Sequence, residues 1–222
     1  MLTKILINTL ILLILNACAA SRLVEPLHQG EVQLNATFGG PLFDYDGYII
    51  PMPLSSVTIA HGWRDNLSLH GSVHTTSAIF GVFHTEFGFT TTLYKSKNRD
   101  LALSMSPSAH FMLDKWEHHF KFYPSFDLNF FSHVLGPNKL LYAGMSNWFE
   151  LSNERAHAEK QPNHWIPAFH SGLTYQPDLW NYNIELKYIA PLHSNKDIVI
   201  DYLSPTDRGA LGVYLSIGRS FK

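Results

Sequence analysis

The chain has 222 residues, a formal net charge of −2 and no basic run, which excludes a nucleic-acid binder. Its one cysteine excludes a disulfide framework. Charged residues make up only 15% of it and aromatics 14%, against a usual charged share of about a quarter, an imbalance that needs a reason.

Residues 1–17 carry one charge, Lys4, ahead of an apolar run over 5–15 broken only by Asn8 and Thr9. This pattern, followed by small residues, is that of a secretory signal peptide. It is too short for a transmembrane helix, which needs about 20 apolar residues, and Ser21-Arg22 ends it. Two cleavage readings compete. Ala17-Cys18-Ala19 fits the A-x-A pattern of an ordinary signal peptidase. Leu15-Asn16-Ala17-Cys18 resembles the bacterial lipobox, with Leu three residues before the cysteine and a small residue just before it. Asn16 departs from that motif, where a small or β-branched residue is commoner. The resemblance implies cleavage before Cys18, a diacylglycerol on its sulfur, an acyl chain such as palmitate on its amine, and the lipoprotein-processing machinery as a partner. The lipobox is preferred, because a cysteine is uncommon in this region without that purpose. The chain thus divides into a signal peptide (1–17), a lipidated polar linker (18–29) and one domain (30–222), with no internal linker or repeat.

From Glu31 onward the apolar period is two, the signature of strands with one apolar and one polar face. Val32, Leu34, Ala36 and Phe38 oppose Glu31, Gln33, Asn35 and Thr37. Over 55–63, Val57, Ile59 and Trp63 oppose Ser56, Thr58, Ala60 and Gly62; over 66–74, Leu67, Leu69 and Val73 oppose Ser68, His70, Ser72 and His74. Segment 80–94 sets Phe83, Phe87, Phe89 and Leu93 against His84, Glu86, Gly88 and Thr90. Segment 101–111 sets Leu101, Leu103, Met105 and Phe111 against Ser104, Ser106, Ser108 and His110. Phe122, Phe126, Leu128 and Phe130 oppose Lys121, Tyr123, Ser125, Asp127 and Asn129 over 121–131. Segment 139–150 is strand-like in composition but vague in pattern. Over 164–175, Trp165, Phe169, Leu173 and Tyr175 oppose Ala168, His170, Gly172 and Thr174. Tyr182, Ile184, Leu186 and Tyr188 oppose Asn183, Glu185 and Lys187 over 181–190. Finally, Leu211, Val213, Leu215, Ile217 and Phe221 oppose Ala210, Gly212, Tyr214, Ser216 and Gly218. The expectation is about ten strands.

Short links (64–66, 95–100, 132–138, 176–181) alternate with longer ones (39–54, 112–120, 151–163, 191–208), and only 75–79 breaks the rule. An even strand count with short turns at one end and long loops at the other resembles bacterial outer-membrane β-barrels. The aromatic apolar faces resemble their girdles, and the small polar faces suit a narrow lumen. The ending YLSIGRSFK resembles their closing strand, although Phe221 is penultimate where the family ends on Phe. The resemblance implies an up-and-down antiparallel transmembrane barrel in the outer membrane of a Gram-negative bacterium, with membrane lipid and the barrel assembly machinery as partners.

On that reading the lumen receives Glu31, His70, His74, His84, Glu86, His110, Lys121, Asp127, His170, Glu185 and Lys187. In a narrow barrel such groups must be paired, so an ionic plug that fills the interior is the expectation. Thirteen histidines invite a metal reading. His70 and His74, however, lie about 13–14 Å apart along one strand, and His118-His119 diverge. No metal ligand and no cofactor are assigned. Among enzymes with similar barrels, lipid A deacylases carry a His-x-Ser-Asn pattern; His70-Gly71-Ser72 matches it in part, but Val73 stands in place of Asn. His170-Ser171 point to opposite faces. Asp44-Tyr45-Asp46 resembles the acidic pair of omptin proteases, yet no Asp-x-His follows, and such a pattern in a loop is more often turn chemistry. No catalytic residue is assigned. Loops holding Trp116, the strand-end Trp148 and the Pro-rich 39–54 segment could meet an extracellular partner whose identity the sequence does not give.

The resulting expectation is an outer-membrane β-barrel lipoprotein with a structural or surface-interaction role, its lipid on Cys18. The alternatives are a lipid-anchored, soluble lipocalin-like barrel with the Phe-rich face turned inward onto an apolar ligand, or an outer-membrane lipid-modifying hydrolase.

Overall fold

A computed structural model describes residues 23–96, 101–154, 160–196 and 198–221. The strands are β1 (Val32–Tyr45), β2 (Tyr48–Pro51), β3 (Leu54–Arg64), β4 (Leu67–Val73), β5 (Val82–Lys95), β6 (Leu101–Asp114), β7 (Phe120–Ser132), β8 (Lys139–Phe149), β9 (Trp165–Tyr175), β10 (Trp180–Ser194) and β11 (Arg208–Phe221). Each pairs antiparallel with its neighbour in chain order, except that β1 pairs with β3, and β11 returns to pair with β1. Setting aside the short β2, the result is a closed barrel of ten strands. Val32 stands opposite both Phe221 and His61, so closure and first hairpin share one end. That end carries the short turns, and the long links gather at the other.

Polarity settles which way the faces point. Phe87 is 59% exposed and Leu186 56%, whereas Glu86 is 2% and His110 0% exposed. The same inversion holds round the barrel: Leu34, Phe38, Ile59, Phe130 and Leu215 face out, and Ser68, Thr90, Ser104, Ser106 and Asn129 face in. An outward belt of this kind is stable only against hydrocarbon, and closure leaves no strand edge unpaired there. The protein is a transmembrane β-barrel. The lipocalin-like alternative is overturned, because that fold buries the apolar face and here the Phe-rich face is the outer one.

Two connections depart from expectation. Much of the anticipated 39–54 loop is strand, since β1 runs on to Tyr45 and folds back through β2 as a hairpin projecting beyond the barrel. Asp46 (φ 53°) and Gly47 (φ 84°) form its tip, the Asp-Gly pairing that a tight hairpin turn with two positive φ values favours. The carboxylate of Asp44 accepts the Gly47 N–H at 2.8 Å, so the Asp-x-Asp pattern is turn chemistry. The 75–79 link is a single helical turn, α1 (Thr75–Ile79), rather than a bare turn.

The lumen is filled in three layers. At the turn end the chain before β1 enters the barrel: Val24 packs with Ala102, Phe131, Leu140 and Tyr142. Its backbone is held by lumenal hydroxyls, with Thr90 donating to the Leu23 carbonyl at 3.2 Å and Ser68 accepting the Leu27 N–H at 2.7 Å. At the loop end Val82, Met112, Tyr123, Trp148 and Ile166 close an apolar lid. Polar side chains occupy the middle.

Candidate functional site

The middle layer holds two polar groups on opposite walls. On one wall, β4, β5 and β6 place their inward residues side by side. The register sets Glu86 opposite Ser72 on one flank and His110 on the other, and His70 opposite Gly88. A side chain at Gly88 would meet His70 Nε2 at 2.7 Å, so the missing Cβ is what admits the imidazole. Glu86 Oε1 lies 3.6 Å from His70 Nε2, while its Oε2 lies 3.8 Å from His74 Nε2 and 3.9 Å from His110 Nδ1. His84 Nε2 faces His110 Nδ1 at 3.2 Å, and the His74 and His84 rings stack at 3.7 Å. Beyond them His110 Nε2 meets Ser125 Oγ at 3.1 Å, and the Trp148 ring covers His110 at 3.9 Å. One ring nitrogen from each of His74, His84 and His110 lies within 4.8 Å of the others.

On the opposite wall, β10 carries Glu185 and Lys187 on one face. Lys187 Nζ meets Glu185 Oε1 at 3.0 Å, and Tyr142 from β8 donates to Glu185 Oε2 at 2.7 Å. Asn183 donates to Tyr142 at 2.9 Å and to Thr174 at 2.8 Å. Lys187 also sits over the Tyr214 ring at 5.0 Å. His170 bridges toward the middle, with Nε2 2.6 Å from Asn129 Oδ1 and Nδ1 3.3 Å from Ser146 Oγ. Gly144 leaves the space His170 fills, since a Cβ there would meet its Nε2 at 2.6 Å.

Of the residues assigned to the lumen from alternation, His70, His74, His84, Glu86, His110, Asp127, His170, Glu185 and Lys187 are buried there. Glu31 sits half-buried at the rim, and Lys121 is half-buried and pairs with Glu150 at 3.6 Å. His70 and Ser72 share a face but make no dyad: His70 meets Ser108, and Ser72 bonds Thr58 at 2.8 Å. Both are inside the lumen, so this pair does not form the dyad of a lipid A deacylase. Cys18 lies outside the described residues. Tyr142 and Trp148 were not foreseen as lumenal; Trp148 belongs to the inner lid, not to a loop. Histidines were weighed as ligands only in pairs close in sequence, His70 with His74 and His118 with His119, so the meeting of His74, His84 and His110 was missed. Their common inward parity on three neighbouring strands was the signal.

At the loop end the β1–β2 hairpin meets the segment between β10 and β11. Asp44 N–H donates to the Asp201 carbonyl at 2.8 Å, and Leu203 N–H to that of Leu42 at 2.9 Å. A cleft of about 470 Å³ lies between them, lined by Asp44, Ile49, Asn195, Tyr202 and Asp207 among others. Burial raises the Tyr202 phenol above its ordinary value.

No protein-family model and no curated protein matches the chain. Among solved structures it is similar to an outer membrane channel from Pseudomonas putida F1, with a TM-score of 0.56 at 8% identity over 92% of this chain and 100% of that one. The translocator domain of the autotransporter NalP from Neisseria meningitidis gives 0.44 at 10% identity, covering 86% of this chain and 88% of that one. The N-terminal barrel domain of OprF from Pseudomonas aeruginosa gives 0.34 at 12% identity, covering 88% and 100%. At these identities the likeness is one of fold.

Proposed function

We propose that this protein is an outer-membrane barrel lipoprotein of a Gram-negative envelope, tethered through Cys18, whose role is structural or surface-interactive. The observation that carries this reading is a barrel with a hydrocarbon-facing exterior whose lumen holds an apolar layer toward each end and paired polar side chains between them. Such a body offers its loop end to other molecules. The turn end would face the periplasm, as short turns do in bacterial barrels. Four residues lie between Cys18 and Leu23, which is seated at that end, and the five steps reach at most roughly 17 Å. That is a short tether, and it supports acyl chains in the adjacent leaflet.

Four measurements test the reading. Mass spectrometry of the membrane-extracted protein should give Cys18 as the first residue, carrying acyl mass; an N-terminus at Ala20 refutes the anchor. Cys18→Ala should stay in the carbonate-washed membrane and keep heat-modifiable migration, because the barrel holds itself there. Phe87→Arg, in mid-strand on the outer face, should destabilise the barrel by about 2–4 kcal/mol. In planar bilayers the whole protein should be silent, and a steady open conductance would replace the structural role with transport.

A further inference from the structure

We propose that His74, His84 and His110 form a binding site for a divalent transition metal of the Zn²⁺ type inside the barrel, with Glu86 as the adjoining carboxylate. Imidazole nitrogens suit Zn²⁺, Cu²⁺ and Ni²⁺, whereas Mg²⁺ and Ca²⁺ require oxygen. A tetrahedral site with ligand bonds of about 2.0–2.1 Å has donor-to-donor edges of about 3.3 Å. Three edges of this group already measure 3.2 Å (His84 to His110), 3.8 Å (His74 to Glu86) and 3.9 Å (His110 to Glu86). The set is therefore close to the size a single ion needs.

The hydrogen bonding points the same way. With Nε2 of His110 donating to Ser125, its Nδ1 is the bare nitrogen and faces the cluster, the outer-shell arrangement that fixes a liganding tautomer. One proton on His84 Nε2 satisfies the 3.2 Å contact with that Nδ1. It leaves His74 Nε2, buried and without a hydrogen bond among the described residues, still unserved. A metal ion in place of the proton serves all three rings and also neutralises Glu86. The cost is local. The His74 and His84 rings are nearly parallel, at 7°, so His74 must rotate for both lone pairs to converge. It stands just past the end of β4, where α1 begins, the least constrained position of the three. Trp148 and the apolar lid exclude water from the His110 side and strengthen the site electrostatically.

The test uses untagged full-length protein folded in detergent, with folding confirmed by heat-modifiable migration, and Co²⁺ and Zn²⁺ as the probes. The wild type should take up one Co²⁺ with the intense visible bands of a tetrahedral centre, and Zn²⁺ should displace it. His74→Ala, which leaves the Ser125 and Trp148 contacts of His110 untouched, should weaken binding at least about 100-fold. The double variant His84→Ala/His110→Ala should abolish binding, and His118→Ala/His119→Ala, in the exposed turn between β6 and β7, should leave it unchanged. The site is refuted if folded wild type shows no tetrahedral Co²⁺ band at equimolar metal. It is equally refuted if binding survives His74→Ala, or if the His118/His119 change is the one that removes it.

Discussion

Glu86 and Glu185 are both buried in one lumen, yet they are surrounded by different chemistry. Glu185 is bonded to a lysine two residues along its own strand and to a tyrosine hydroxyl from across the barrel. The ion pair and the tyrosine hydroxyl bond together make this wall a fixed cross-brace between β8 and β10. Glu86 instead stands among His70, His74 and His110, at 3.6–3.9 Å. Imidazoles are the commonest protein ligands for transition metals. The comparison teaches that one lumen can brace one wall with an ion pair and line the other with groups suited to a metal ion.

The strongest way to break the contrast is Lys187→Met, which strands a buried carboxylate. Removing one partner of a buried pair costs about 3–5 kcal/mol, and the loss should appear as a lower urea midpoint for barrel unfolding. Next comes Tyr142→Phe. It removes the hydroxyl shared by Glu185 and Asn183 and should cost about 1–3 kcal/mol by the same assay. The smallest effect belongs to the other wall. Glu86→Gln keeps the shape and the hydrogen-bonding capacity of the side chain, so metal-free protein should change by no more than about 1 kcal/mol. A Glu86→Gln loss as large as that of Lys187→Met would erase the distinction between the two walls.

Much of the architecture was legible residue by residue. Phe83, Phe87 and Phe89 against His84, Glu86 and Thr90 announce a two-faced strand, because alternation is a property of the extended backbone itself. The β8 segment was harder. Its inward set, Leu140, Tyr142, Gly144, Ser146 and Trp148, runs from apolar plug through polar centre to apolar lid. No single polarity marks that face, and so the lumenal roles of Tyr142 and Trp148 stayed hidden. The segment before β1 was hidden differently. Read as a polar linker, it supplies Val24 and Leu27 to the lumen, and only the cavity that receives them gives those two residues a purpose.

By itself the sequence determined which two faces most strands, β8 excepted, would present, and that about ten strands would form the barrel. These follow from a repeat of two residues, which is local. Tertiary structure alone decided that β11 closes on β1, that Glu185 meets Tyr142, and that His74, His84 and His110 converge while His70 and Ser72 part. Those meetings depend on register between strands, and a shift of one residue would turn each of these side chains to the opposite face. Register is set by all the pairings around the closed ring at once, so no single strand could disclose it.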